Sequence, residues 1–304
     1  MHYKIVYMGT PNYAKEILDG LIEADDMDVS LVLTQPDRPV GRKKVLTPPP
    51  VKSLALEHQI DVLQPNRLSD EGIYEAIKAH KPDFIIVAAF GQILPKRILE
   101  IAPCINLHAS LLPQYRGASP VQQSLLNGDV KTGVTSMLME EGLDTGDILE
   151  MIEFEIPKEM RLHALMQQLT KDAAKLTLST VRNFKNIEPR KQDENQATLC
   201  KKIKKADGEV DFVDASLVYN KYRAFEGWPG IFLSNGTKIE GVTLVDTTAS
   251  HKPFEILSFE EDAVIVGCVK GALKIETLQP ASKKAIPAKA YCVGRGMKVG
   301  DSII

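Results

Sequence analysis

The stretch DFIIVAA, residues 83–89, constrains this chain more than any other. It is continuous, apolar and rich in β-branched side chains, so it has no polar face to offer to water. Such a run suits a parallel strand covered on both faces of its sheet. The neighbouring segments agree. YKIVYM (3–8) and VSLVLT (29–34) read as further strands, and between them Ala14, Ile17, Leu18, Leu21 and Ile22 fall at helical spacing. VKSLALEHQ and DEGIYEAIKAH read as helices on either side of a short DVLQ strand, and PCINLHA reads as the next strand. Strands alternating with helices imply right-handed βαβ units and a doubly wound α/β sheet.

GVTSMLM and DILEMIEFEI are expected to extend that sheet. Residues 161–184 predict a long amphipathic helix, with Leu162, Leu165, Met166, Leu169, Ala173, Leu176, Val181 and Phe184 on its 3.6-residue period. The pattern then changes. A charged, weakly periodic run reads as a linker over 189–208, which divides a first domain (1–188) from a second (209–304). The second opens on a helical ASLVYNKYRAF and continues in short strands with Gly, Asn and Pro turns. Asn235-Gly236 between apolar runs is a hairpin signal. A small β-barrel of the OB-like kind is expected there.

Composition narrows the setting. The net charge of −3 gives no global attraction to nucleic acid, so any basic surface must be local. No apolar run approaches the roughly 18 residues of a membrane span. Four cysteines, Cys104, Cys200, Cys268 and Cys292, are far apart and form no CxxC pair. That pattern argues against a zinc site and a disulfide framework and fits a reducing cytoplasm.

The chemistry concentrates where PCINLHA ends. Ligands of doubly wound sheets bind beyond the carboxyl ends of strands. Asn106 and His108, two apart, share one face of that strand. In EEGLDTGDIL, Asp144 offers a carboxylate on a turn, able to orient an imidazole and favour its cation. An amide, an imidazole and a carboxylate together can polarise a carbonyl, hold the oxyanion of a tetrahedral intermediate and take a proton from an attacking amine. Ser110 follows in HAS without the Gly-x-Ser-x-Gly elbow, so direct acyl transfer is favoured over a covalent acyl-enzyme. GTPNYA after the first strand lacks GxGxxG, which disfavours a dinucleotide; Gly9 and Thr10 are expected to shape the floor of the site. Plainer readings stand beside these: a lone strand-end histidine is more often structural, and a lone Asp in a turn is more often an Asx turn. Arg116 is open to two readings, structural anchor or ligand contact.

The ordered set GTPNYA, TQPDRPVGR, AAFGQILP, NLHASLLPQYRGASPVQQSLLNGD and TGVTSMLMEEGLDTGDIL closely resembles the methionyl-tRNA formyltransferase family of the bacterial and organellar type. RAFEGWPG and YCVGRGMKVG resemble that family's C-terminal β-barrel, so the likeness spans nearly the whole chain. It implies a Rossmann-like formyltransferase domain, with Asn106, His108 and Asp144 as the catalytic residues. The implied formyl donor is 10-formyltetrahydrofolate and the implied acceptor is initiator methionyl-tRNA, with no metal, membrane or obligate protein partner. The family's folate contacts map onto Phe90, Gly91, Gln92, Ile93 and Leu143, with Ser110, Leu111, Leu112 and Pro113 as the expected cleft wall. Its tRNA-binding loop maps onto PDRPVGRKKVLTPPP, a basic finger carrying Arg38, Arg42, Lys43 and Lys44. Lys202 and Lys205 are expected to follow the tRNA backbone. A sugar-nucleotide formyltransferase would share the Asn–His–Asp core without needing DRPVGRKK. A glycinamide ribonucleotide formyltransferase would lack the second domain.

Overall fold

The computed structural model describes residues 2–41 and 43–304; Arg42 lies outside the described residues. The chain forms two compact units. The first comprises Met1–Pro120, Lys131–Ile156 and Leu165–Lys201, and the second Val121–Val130, Pro157–Ala164 and Lys202–Ile304.

Up to Cys200 the elements run β1 (Tyr3–Gly9), α1 (Asn12–Ile22), β2 (Met27–Leu33), β3 (Arg38–Val40), β4 (Val45–Thr47), α2 (Pro50–Glu57), β5 (Val62–Leu63), α3 (Ile73–Ala79) and β6 (Phe84–Ala88). They continue as α4 (Lys96–Leu99), β7 (Cys104–His108), β8 (Arg116–Gly117), α5 (Pro120–Asn127), β9 (Lys131–Leu138), β10 (Ile148–Glu155), α6 (Leu162–Asn183) and β11 (Leu199–Cys200). Seven strands form the main sheet in the order β10-β9-β7-β6-β1-β2-β5. The five from β7 to β5 are parallel, and β9 and β10 extend the sheet antiparallel.

The apolar run that defines β6 is buried along its whole length, as is β7. Alternate residues serve the two faces. Val6, Met8, Leu31, Leu33, Ile85 and Val87 join one core with Leu68, Ile77, Leu94 and Ile98. Ile5, Tyr7 and Ile86 face the other way and are equally buried. Helix α1 buries Ala14, Ile17, Leu18 and Leu21 along the stripe its spacing predicted.

From β1 the chain builds outward to β2 and β5, then returns to place β6 on the other side of β1. The strand order therefore reverses between β1 and β6, and a crevice opens beyond their carboxyl ends. Gly9 sits at that point. A Cβ built on it would lie 2.6 Å from Ala14 Cβ, 2.8 Å from the Tyr7 ring and 3.0 Å from Ala88 O. Glycine is needed here because strand, helix and neighbouring strand converge too closely for any side chain.

The segment after β2, expected as a basic finger, carries a hairpin that periodicity did not reveal. β3 and β4 pair Arg38 with Thr47, Pro39 with Leu46 and Val40 with Val45. These residues are exposed on both strands, which is why no apolar alternation marks them. The hairpin is rooted at Asp37, whose carboxylate accepts 2.9 Å bonds from Lys52 Nζ and a 2.7 Å bond from Gln64 Nε2. Gln64 and Lys52 together hold the Asp37 carboxyl below its ordinary pKa.

The second unit adds α7 (Ala215–Ala224), β12 (Ile231–Phe232), β13 (Lys238–Asp246), β14 (Ile256–Glu260), β15 (Ala263–Gly267), β16 (Ala272–Gln279), β17 (Ile286–Pro287) and α8 (Ala288–Val293). Asp214 caps α7 by accepting a bond from Ser216 N. Strands β12-β13-β16-β15-β14 form an antiparallel sheet, with β17 on β16. Gly236, at φ +81°, makes the β12–β13 turn that Asn235-Gly236 signalled. Among the described residues no ladder joins β12 to β14, the partly open form that small OB-like barrels take.

The polar run at 189–208 is more than a connector. Its part up to Lys201 belongs to the first unit, and β11 pairs in parallel with β8.

Two outcomes are expected. Gly9→Ala overpacks the β1–α1 junction and lowers unfolding free energy by about 1–3 kcal/mol; a urea titration will show a lower midpoint at unchanged slope. Asp37→Ala releases the hairpin without unfolding the unit, so tryptic cleavage within 38–44 rises while the urea midpoint holds. Because the Asp37 pKa is lowered on folding, its support is present above the ordinary carboxylate pKa and lost as pH falls through the lowered one.

Candidate functional site

The last strand of the parallel run delivers the expected pair. Asn106 and His108 sit on one face of β7, opposite Met137 and Thr135 of β9, and both are buried (9% and 6% exposed). Asp144 reaches them from the turn before β10. Asn106 Nδ2 lies 3.5 Å from Asp144 Oδ1, and His108 Nδ1 lies 3.7 Å from Asp144 Oδ2. Side chains distant in sequence therefore meet around one carboxylate.

The separations are informative. At 3.7 Å the carboxylate is beyond hydrogen-bond reach of the ring. The imidazole is oriented instead by Tyr115 O, 2.9 Å from Nε2. A carbonyl oxygen only accepts, so Nε2 carries its proton and Nδ1 is the nitrogen left facing Asp144. Asp144 Oδ2 accepts a 2.8 Å bond from Gly117 N. One short segment, 115–117, thus holds the histidine by its first residue and the aspartate by its last. Gly117 has φ +116°, and a Cβ there would come within 2.4 Å of Cys200 O. Asp144 and Tyr115 adopt left-handed φ of 54° and 60°. Non-glycine residues hold that conformation only where their surroundings over-determine it.

Those surroundings come from the run beyond α6. Arg116, 4% exposed, donates from Nε and Nη2 to Gln192 Oε1 at 3.0 and 2.9 Å, and from Nη1 and Nη2 to the Glu194 carboxylate at 2.9 and 2.7 Å. It is a structural anchor. Gln192 Nε2 in turn donates to Asp144 O and Gly146 O at 2.8 and 2.7 Å. Thr198 receives Tyr115 N on its hydroxyl and Arg116 N on its carbonyl. Gln192, Glu194 and Thr198 were not found from sequence. They lie in a polar run without period, and only their partners give them meaning.

The expected folate residues divide. Ala89, Phe90 and Gly91 line a cavity of about 510 Å³ beyond β1 and β6, with Thr10, Pro11, Gln35 and the hairpin's Arg38, Val40 and Thr47 on its other sides. Thr10 Oγ1 and Gln35 Nε2 both donate to Phe90 O, and Gly91 has open space where a Cβ would stand. Ile93 and Leu143 are exposed apolar side chains. Gln92 is committed elsewhere: its amide accepts from Leu68 N and donates to Pro65 O. Of the expected wall, Ser110 gives its hydroxyl proton to Gln114 O at 2.6 Å. Leu112 packs with Met137 and Ile148. Leu111 and Pro113 are half-buried. Arg38, Lys43 and Lys44 are exposed on the hairpin, and Lys202 and Lys205 are exposed in the second unit.

A larger hollow of about 900 Å³ lies in the second unit among Glu260, Glu261, Asp262, Lys274 and Glu276. Its lining is acidic and includes no amide or imidazole side chain. No helix among the described residues is long and apolar enough to cross a membrane.

Residues 3–181 match the family profile described as formyl transferase, and residues 202–296 match that of the formyl transferase C-terminal domain. A methionyl-tRNA formyltransferase of Sulfurovum sp. (strain NBC37-1) is 76% identical over 304 residues, covering 100% of both chains. The methionyl-tRNA formyltransferase of a Nitratiruptor species is 52% identical over 301 residues, 98% of this chain and 99% of the relative. Among solved structures, the N-formyltransferase of Helicobacter canadensis in complex with folinic acid and dTDP-3-aminofucose superposes with a TM-score of 0.65. It shares 19% identity over 90% of this chain and 98% of its own, a likeness of fold. With a relative 76% identical from end to end and both domain profiles in order, the chain belongs to the methionyl-tRNA formyltransferase family.

Proposed function

We propose that this chain transfers the formyl group of 10-formyltetrahydrofolate to the α-amino group of methionine on initiator methionyl-tRNA, in the cytoplasm. The observation that carries the reading is the convergence of Asn106, His108 and Asp144 at the carboxyl edge of the sheet. The cavity beside Phe90 and Gly91 has the size and apolar lining of a small-molecule site, which fits a pterin. The four free, buried cysteines fit a reducing compartment.

The roles follow from the geometry. Among the described residues the contact of Asn106 Nδ2 with Asp144 is a long one, 3.5 Å, which leaves the amide able to donate to the formyl oxygen as negative charge builds there. His108, with Nε2 fixed on Tyr115 O, presents Nδ1 to the reacting centre. Asp144, anchored by Gly117 N, holds its carboxyl group beside that nitrogen, 3.7 Å away. As the amine nitrogen bonds to the formyl carbon, the His108–Asp144 pair receives its proton. The bond from that carbon to the folate nitrogen then breaks with its electron pair going to the nitrogen, and the His108–Asp144 pair returns the proton to it. Ser110 takes no part as a nucleophile, since its hydroxyl is bound to Gln114 O.

For the tRNA, Arg38, Arg42, Lys43 and Lys44 would contact phosphates, and the exposed Val40, Val45 and Leu46 would lie against the acceptor end. Lys202 and Lys205 would add phosphate contacts from the second unit.

Two measurements test this. Asn106→Ala and His108→Ala should each lower the rate of formyl transfer to methionyl-tRNA by roughly 10²-fold or more, the usual effect of removing an oxyanion donor; near-normal turnover would end the assignment. Replacing Arg42, Lys43 and Lys44 by alanine should flatten the salt dependence of tRNA binding by about one unit of slope for each phosphate left unneutralised. An unchanged slope would remove the hairpin from the tRNA interface.

A further inference from the structure

The amide of Gln192 is fully used. Its Nε2 gives both protons to the carbonyls of Asp144 and Gly146, and its Oε1 takes two bonds from Arg116. An amide side chain has two donor hydrogens and two acceptor sites, so nothing is left over. The orientation is also fixed. Turned end for end, the NH₂ would face a guanidinium and the oxygen would face two carbonyls, making four mismatches at once.

The position of these bonds matters more than their number. One pair grips the turn that carries the Asp144 carboxylate. The other pair grips Arg116, whose chain neighbours supply Tyr115 O to His108 and Gly117 N to Asp144. Both halves of the acid–base pair are therefore referred to one side chain. The left-handed φ of Asp144 and Tyr115 shows that neither turn rests where an unrestrained chain would.

We propose that Gln192 is a positioning residue for formyl transfer: it fixes the spacing of Asp144 and His108 through the 144–146 turn and the 115–117 segment, while touching no substrate. The inference rests on the formyl-transfer reading above. It makes the run from Gln192 to Cys200 a strap that completes the catalytic unit, with Thr198 and β11 continuing the same hold on Tyr115 and Arg116. A catalytic group misplaced by about 1 Å costs on the order of 10²-fold in rate. Loss of the two donations should therefore act on turnover far more than on binding.

The deciding variant is Gln192→Glu. It has the same shape and still accepts from Arg116, but it has no hydrogen to give to Asp144 O or Gly146 O. Its kcat for formylation of methionyl-tRNA should fall roughly 10–100-fold, with KM for tRNA and for the folate donor within about twofold of wild type on the same argument. Gln192→Ala should fall at least as far; should it fail to fold, Gln192→Glu decides alone. Combined with Asp144→Ala, Gln192→Glu should cost less than about a further twofold, because this variant keeps its bonds from Arg116 and the two donations it loses act only through the turn that carries Asp144. Wild-type turnover in Gln192→Glu, or a full additional loss on top of Asp144→Ala, would overturn the proposal while leaving the formyl-transfer reading intact. A wild-type chain that does not formylate methionyl-tRNA would overturn that reading, and the role of Gln192 with it.

Discussion

The bond from Gly117 N to Asp144 Oδ2 is the contact on which the site depends. A carboxyl group among buried neighbours needs hydrogen-bond partners to replace the water it has lost. Neither expected neighbour supplies one at close range, since Asn106 stands at 3.5 Å and His108 at 3.7 Å. The backbone amide does, and so leaves both side chains available to a reacting group. The carboxyl group is held by a backbone atom rather than by a side chain. The same bond explains why residue 117 is glycine. The amide must point at Asp144 while the backbone passes close under Cys200 O, at a φ that other residues avoid.

Much of the first unit was legible because its physics is periodic. A strand covered on both faces has to be apolar throughout, and DFIIVAA is; an amphipathic helix has to repeat at 3.6, and α1 does. Asn106 and His108 were legible for the same reason, as two polar residues at period two where an apolar run stops. What stayed hidden has no period. The β3–β4 hairpin exposes its residues on both strands, so burial imposes no alternation on it. Gln192 and Glu194 sit in a polar run whose composition matches a solvated connector. Only the backbone carbonyls of Asp144 and Gly146 and the guanidinium of Arg116 distinguish them from one.

Arg116 shows how a residue with two readings is settled. Its guanidinium is buried and meets Gln192 Oε1 and both oxygens of Glu194. Four of its five N–H hydrogens are committed to these two side chains, which makes it an anchor. Gln92 makes the same point within the segment proposed to contact folate. Its neighbours Phe90 and Gly91 border the cavity, but its own amide ties 90–93 back to Leu68 and Pro65. Adjacent residues in one motif thus separate into those that form a surface and those that hold it still.

Left-handed backbone recurs where the strands of this site end. Ala89 follows β6 at φ 46°, Tyr115 precedes β8 at 60°, and Asp144 lies before β10 at 54°. Such residues cost of order 1–3 kcal/mol each and persist only under restraint. Each is next to, or is itself, a group the site uses: Ala89 sets the direction of Phe90 and Gly91, Tyr115 offers its carbonyl to His108, and Asp144 is the carboxylate. Tyr115 and Asp144 are restrained by the run beyond α6, through Thr198 and Gln192. Ala89 is restrained from the β1–β6 crevice, where Thr10 and Gln35 converge on Phe90 O. A strained turn held on all sides returns to one geometry after every turnover. An unstrained loop would have to find that geometry again, and would add its conformational entropy to the barrier.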